Sequence, residues 1–104
     1  MKRVRFGVIS ASGMAESHMA AIRENSQAEL KAVCDIDLEK ARRSAEKFSL
    51  PQGSVYQNYR ELLAREDVDA VVICTPDQLH RSMTEDALAA GKHVLCEKPM
   101  ALTR

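Results

Sequence analysis

The run Ala70-Val71-Val72-Ile73-Cys74 restricts the fold more than any other stretch of the chain. A strand with one face in water alternates apolar and polar residues. An unbroken apolar run needs cover on both faces, which a parallel sheet between two helical layers supplies. Thr75-Pro76 breaks the run, because proline has no N–H to continue a ladder and biases the preceding residue towards extended backbone.

Four more strand-like runs share this setting: Val4–Ile9, Leu30–Cys34, a very short Val55-Tyr56, and His93–Cys96. Helical patterns lie between them. From Met14 onward, Ala15, Met19 and Ile22 fall at helical spacing, and this helix is expected to end near Asn25-Ser26. Leu38, Ala41, Ala45 and Phe48 recur at the spacing of one helical stripe, with Asp37 as a natural N-cap and Pro51 and Gly53 as stops. Asn58 followed by Glu61 has the form of a capping box and opens a short helix through Leu62 and Leu63. Leu79, Met83, Ala87 and Ala90 make a further stripe, with Gly91 as the expected C′ residue. Strand and helix alternate along the whole chain, with no linker or repeat. The expectation is one α/β domain over residues 1–104, an open parallel sheet wound by right-handed crossovers with helices on both faces.

Three places carry candidate chemistry. The first is the small-residue turn Ser10-Ala11-Ser12-Gly13 between the first strand and the first helix. Strand, tight turn and helix is how a dinucleotide-binding unit begins, with a pyrophosphate set on the amide donors and the positive dipole end of the helix. The usual fingerprint has glycine where this chain has Ser10 and Ser12, which predicts a narrowed site and weakened or displaced pyrophosphate binding. The second place is Asp35, about 20 residues past the turn at the end of the second strand. A carboxylate there accepts hydrogen bonds from both adenosine ribose hydroxyls and repels a 2′-phosphate, favouring NAD over NADP. The alternative is that Asp35 and Asp37 are both capping residues. Asp37 alone suffices as a cap, which leaves Asp35 for a ligand. The third place runs along the ends of the fourth and fifth strands: Thr75, Pro76, His80, Glu97, Lys98 and Pro99. Open α/β sheets bind ligands at this edge.

Composition excludes several alternatives. Fifteen basic residues balance fifteen acidic ones, so no electrostatic footprint points to nucleic acid or an anionic membrane. No apolar stretch approaches the roughly 20 residues of a membrane span, and the apolar run after Lys2-Arg3 is too short for a signal peptide. The cytoplasm is the expected compartment. Cys34, Cys74 and Cys96 are too widely spaced for a zinc site and odd in number for a disulfide framework. They read as three buried reduced thiols, and no metal is expected. Met14 and Met19 read as packing residues.

Several segments in order resemble the N-terminal NAD(P)-binding domain of the Gfo/Idh/MocA oxidoreductases. These are Phe6–Ile9 with the following turn and Ala15–His18, Ala32–Asp37, Asp67–Pro76 with His80, and above all Ala90–Thr103, which contains Glu97-Lys98-Pro99. The resemblance implies a Rossmann-type domain that binds NAD, with NADP the lesser alternative. It implies hydride transfer at a hydroxyl or carbonyl carbon of a sugar or cyclitol. It also implies that Lys98 is the catalytic residue, placed near nicotinamide and substrate and aimed by Pro99 in a cis peptide. In this reading Ser10, Ser12, Gly13 and Met14 serve the pyrophosphate, and Asp35 and Ile36 the adenosine. Thr75, Pro76, His80, Glu97 and Lys98 face the nicotinamide end.

Family members continue into a second, substrate-binding domain. A chain ending at Arg104 is therefore expected to be a truncated form or a fragment, inefficient or inactive alone, that meets a sugar-like substrate only when a second domain is supplied. The alternative of a different class is a non-catalytic nucleotide-binding or dimerisation module, its homodimer covering an exposed fifth-strand edge or the exposed helices.

Overall fold

The computed structural model describes residues 3–10, 13–75 and 77–96, with the side chains of 77–80 and 96 outside that description. Five parallel strands, β1 (Val4–Ile9), β2 (Ala28–Cys34), β3 (Val55–Tyr56), β4 (Ala70–Ile73) and β5 (His93–Cys96), form one sheet in the order β3-β2-β1-β4-β5. Helices α1 (Gly13–Glu24), α2 (Leu38–Lys47), α3 (Tyr59–Leu63) and α4 (Asp77–Ala89) connect them, with a single 3-10 turn at Gln52–Ser54. Strand order reverses at β1/β4, the switch point where this architecture opens a crevice.

The run that defined the fold class behaves as expected. Every residue of β4 is buried, and Val71, Val72 and Ile73 divide between two cores. Val72 joins Val8, Val33, Ala15, Met19, Ala41 and Ala45 under α1 and α2. Val71 and Ile73 join Ile9, Leu62, Met83 and Ala87 under α3 and α4. Gly7 lets α3 approach the middle of the sheet: a Cβ there would lie 2.7 Å from Leu62 Cδ2. Leu62 is itself fully buried and has little room to yield.

The caps follow the sequence with two adjustments. Asp37 accepts from Glu39 N and Lys40 N as the N-cap of α2, and Asn58 accepts from Arg60 N at the start of α3. Gly91, at φ 81°, closes α4 with the paired bonds Gly91 N to Leu88 O and Lys92 N to Ala87 O, the Schellman arrangement. The first adjustment is that α2 ends the same way without glycine. Ser49 takes φ 61°, and Leu50 N donates to Ala45 O, so the helix stops before Pro51 and Gly53 are reached. The second is that β2 begins at Ala28, two residues earlier than its apolar run, because Ala28 pairs with Val4.

Two packing expectations need correction. Met14 is 53% exposed rather than packed, because it sits on the first turn of α1 away from the sheet, whereas Met19 is fully buried. Cys74 is only half-buried, since it lies just past the end of β4; Cys34 is buried, and neither forms a disulfide. The Cys96 side chain and the Pro99 peptide lie outside the described residues. Among the described residues no helix is long and apolar enough to cross a membrane, and no cluster of His, Cys, Asp or Glu has metal-binding form.

Candidate functional site

The C-terminal ends of the strands carry a cleft. Ile9 and Ser10 reach it from β1, Cys34, Asp35 and Ile36 from β2, Gln57 and Tyr59 from beyond β3, and Thr75 and Met83 from the β4–α4 side. Thus Ser10, Asp35, Ile36 and Thr75, singled out on sequence grounds, line one space. Gly13 and Met14 stand exposed at the head of α1, where the first turn leaves amide donors without helical partners. A Cβ added at Gly13 would meet nothing within 4 Å. His80 falls in α4 with its side chain outside the described residues. Ser12, Pro76, Glu97 and Lys98 lie outside them altogether.

Ser10 resolves how a serine replaces the first glycine of the turn. Its φ is 108°, a conformation that favours glycine and strains a residue with a Cβ. The bond from Ser10 N to Cys34 O, at 2.6 Å, ties it to the end of β2. The turn therefore keeps the backbone conformation natural to glycine while carrying a serine side chain.

Asp35 also differs in one respect from its expected state. It is not left entirely to a ligand: its Oδ1 accepts from Asp37 N at 2.8 Å, an Asx-type turn. One carboxylate can accept several bonds, so this contact orients the group without exhausting it. Asp35 N in turn donates to Tyr56 O at 3.1 Å. Beside it Ile36 is 78% exposed, an apolar side chain at the mouth of the cleft.

The floor and far wall are apolar. Burial pushes the Cys34 thiol up to about 12, with the nearby charges of Asp35 and Glu61 adding to the effect. Cys34 is thus an inert part of the floor rather than a nucleophile. The Tyr59 hydroxyl donates to the Asp86 carboxylate, and the Arg60 guanidinium approaches the same carboxylate at 3.4 Å. Burial first, and then this bond to a carboxylate, raise the Tyr59 phenol above its ordinary value. Gln57 and Tyr59 were absent from the sequence candidates. They follow the C-terminal end of β3, so the rule that pointed to Ser10, Asp35 and Thr75 reaches them too, but a two-residue strand marks its own end poorly.

An open parallel sheet ordered β3-β2-β1-β4-β5, with its cleft outside the strand C-termini at the switch point, defines the class of Rossmann-type dinucleotide-binding domains. The sequence model of the Gfo/Idh/MocA family, described as an oxidoreductase family with an NAD-binding Rossmann fold, matches residues 4–104, and the chain belongs to this family. The chain is 40% identical over 101 residues to an inositol 2-dehydrogenase/D-chiro-inositol 3-dehydrogenase of Shouchella clausii, with 96% of this chain and 29% of that protein covered. It is 38% identical over 110 residues to an alpha-N-acetylgalactosaminidase of Shewanella oneidensis, with 99% of this chain and 24% of that protein covered. Among solved structures, the 3-ketoreductase KijD10 of Actinomadura kijaniata, in complex with TDP-benzene and NADP, superposes with a TM-score of 0.85 at 36% identity, covering 95% of this chain and 31% of that one. The chain spans less than a third of the length of each of these three relatives.

Proposed function

We propose that this chain is the cofactor-binding unit of an oxidoreductase acting on a hydroxyl or carbonyl carbon of a sugar or cyclitol, with NAD preferred to NADP. The observation that carries the proposal is Asp35. Its carboxylate stands at the C-terminal end of β2, in the same cleft as Ser10 and Thr75. The residues present suit such a cofactor. The exposed first turn of α1, with its amide donors, suits a pyrophosphate. Asp35 suits the two hydroxyls of an adenosine ribose, and exposed Ile36 offers an apolar contact beside it.

The roles divide along the sheet edge. Ser10, Ser12, Gly13 and Met14 hold the pyrophosphate, with the serine hydroxyls as added donors. Asp35 and Ile36 hold the adenosine. Thr75, Pro76, His80, Glu97 and Lys98 belong to the nicotinamide end. When bound, the nicotinamide supplies the hydride acceptor or donor. Lys98 positions the reacting hydroxyl, and its ammonium favours the alkoxide-like form that develops as the C–H bond breaks. A substrate must be held in register with that residue, which is the expected task of a second domain. Supported by the inositol dehydrogenase and ketoreductase relatives, the substrate class is a polyol or a sugar ketone. The glycosidase relative shows that this kind of domain also serves a protein named for glycoside cleavage.

Calorimetric titration tests the proposal. NAD binds more tightly than NADP. Asp35→Ala weakens NAD about tenfold and removes most of the discrimination, as loss of charge-assisted hydrogen bonds requires. Failure of both nucleotides to bind at millimolar concentration overturns it.

A second reading, a nucleotide-binding module that dimerises, draws on one feature. β5 is an edge strand, and Leu95 on it is 52% exposed, an arrangement prone to pairing. Sedimentation of the chain with and without NAD tests it; a monomer in both conditions rules it out. Cytoplasmic residence accords with Cys34 and Cys74 standing outside any disulfide.

A further inference from the structure

Asp35, Ile36 and Asp37 turn the chain from β2 into α2 beside the cleft, and the β3 side holds this turn. Asp35 N donates to Tyr56 O at 3.1 Å, and Gln57 Nε2 donates to Ile36 O at 3.0 Å. A third bond lies within the turn, from Asp37 N to Asp35 Oδ1 at 2.8 Å. The second and third bonds share one peptide unit. The Ile36 carbonyl and the Asp37 N–H belong to the same plane and point in opposite directions across it. A donor that fixes the carbonyl therefore also fixes where the N–H points. That N–H is bonded to the Asp35 carboxylate.

Gln57 is not needed to satisfy a buried group. Ile36 is largely exposed, and its carbonyl on such a turn has access to water. What water does not supply is direction, because it follows the peptide in whichever orientation the turn adopts. The Gln57 amide comes from the residue directly after β3, which the ladder pairs Val33–Val55 and Cys34–Tyr56 hold against β2. Gln57 also lines the cleft together with Asp35 and Ile36.

We propose that Gln57 is a positioning residue for dinucleotide selectivity: its amide holds the Ile36–Asp37 peptide so that the opposite edge of that peptide presents the Asp35 carboxylate to the cofactor ribose. The proposal rests on the ribose role of Asp35. Gln57 acts through that role and needs no contact with the cofactor.

Gln57→Leu, close in volume but without the donor, is the test, read by calorimetry with NAD and NADP and by thermal melting. NAD binding weakens about fivefold, the worth of one net hydrogen bond. NADP binding stays within about twofold and the melting temperature within about 2 °C. In an Asp35→Ala background the same substitution changes NAD binding by less than about twofold, since residues acting as one unit are not additive. Equal weakening of NAD and NADP, an NAD affinity within twofold of the unaltered chain, or the same loss with and without Asp35 overturns the role of Gln57. Failure of the unaltered chain to bind NAD overturns the reading of Asp35 itself, and Gln57 with it; an NAD-binding chain indifferent to Gln57→Leu overturns only the latter.

Discussion

At the N-terminal ends of the strands, charged side chains bind one another and the backbone. Arg5 donates from its backbone N, Nε and Nη2 to the Asp69 carboxylate at 2.9–3.0 Å. Arg65 pairs with Asp67 through two bonds and reaches Ser54 Oγ. Lys92 Nζ donates to the carbonyls of Arg65 and Val68, both at 2.6 Å. At the C-terminal ends the arrangement is different. Ser10, Asp35, Gln57 and Thr75 line a cleft with an apolar floor, and the turn at Ser10 is strained. The difference accords with the binding site proposed at the C-terminal ends. Polar groups that bind one another stabilise an end, whereas the cleft gathers polar side chains around an apolar floor.

Substitutions at the two ends therefore have opposite signatures. The largest stability effect is expected at the closed end. Asp69→Ala removes the acceptor of three Arg5 donors, one of them a backbone N–H, and lowers the denaturation midpoint, an effect held down by the partial exposure of the pair. Chemical denaturation measures it, and NAD affinity is unchanged. Loss of NAD binding with retained fold would erase the distinction between the ends. Asp35→Ala has the reverse signature, about a tenfold loss of NAD affinity with stability within about 0.5 kcal/mol of the parent.

At the open end Ser10→Gly relieves a φ of 108° and stabilises the fold by about 1 kcal/mol. A destabilised variant would mean that the serine side chain contributes more than its backbone strain costs. Ser49→Gly, at the end of α2, gains up to about 1 kcal/mol for the same reason, with no change in nucleotide binding. Comparing the two separates strain at the site from strain at an ordinary helix end.

The smallest effect is a pH dependence. Glu16, in the first turn of α1, accepts from Lys47 Nζ at 2.9 Å and from Ser44 Oγ at 2.8 Å, and these bonds hold its carboxyl below its ordinary range. A group with a lowered folded value stabilises the protein above its unfolded value, and the contribution disappears as pH falls through the folded one. Stability should drop on acidification from about pH 5 to pH 3, and less so in Glu16→Gln. Asp67, lowered by Arg65, adds the same sign at the closed end. An identical acid profile in Glu16→Gln would remove the α1–α2 tie from this account.

Much of the fold was legible because apolar periodicity and caps are local. The continuous run at Ala70–Cys74 demanded two covered faces, and Asp37, Asn58 and Gly91 marked helix ends by the chemistry of their own side chains or backbones. The ends of the strands then named Ser10, Asp35 and Thr75, since topology carries them to one edge. Ser49 gave no such sign. A serine in the left-handed region is chosen by the pull of Leu50 N on Ala45 O, not by its own preference.

The sequence by itself determined a parallel α/β domain and an acidic residue at the end of β2, because spacing and residue type suffice for each, and its segments carried the resemblance to the family. Only the tertiary structure decided that Ser10 adopts the conformation of the glycine it replaces, that Asp35 is held from within its own turn, and that Gln57 reaches the peptide beside it. These are relations between segments brought together by the sheet. Hydrogen-bond direction and backbone strain arise only when that packing is complete.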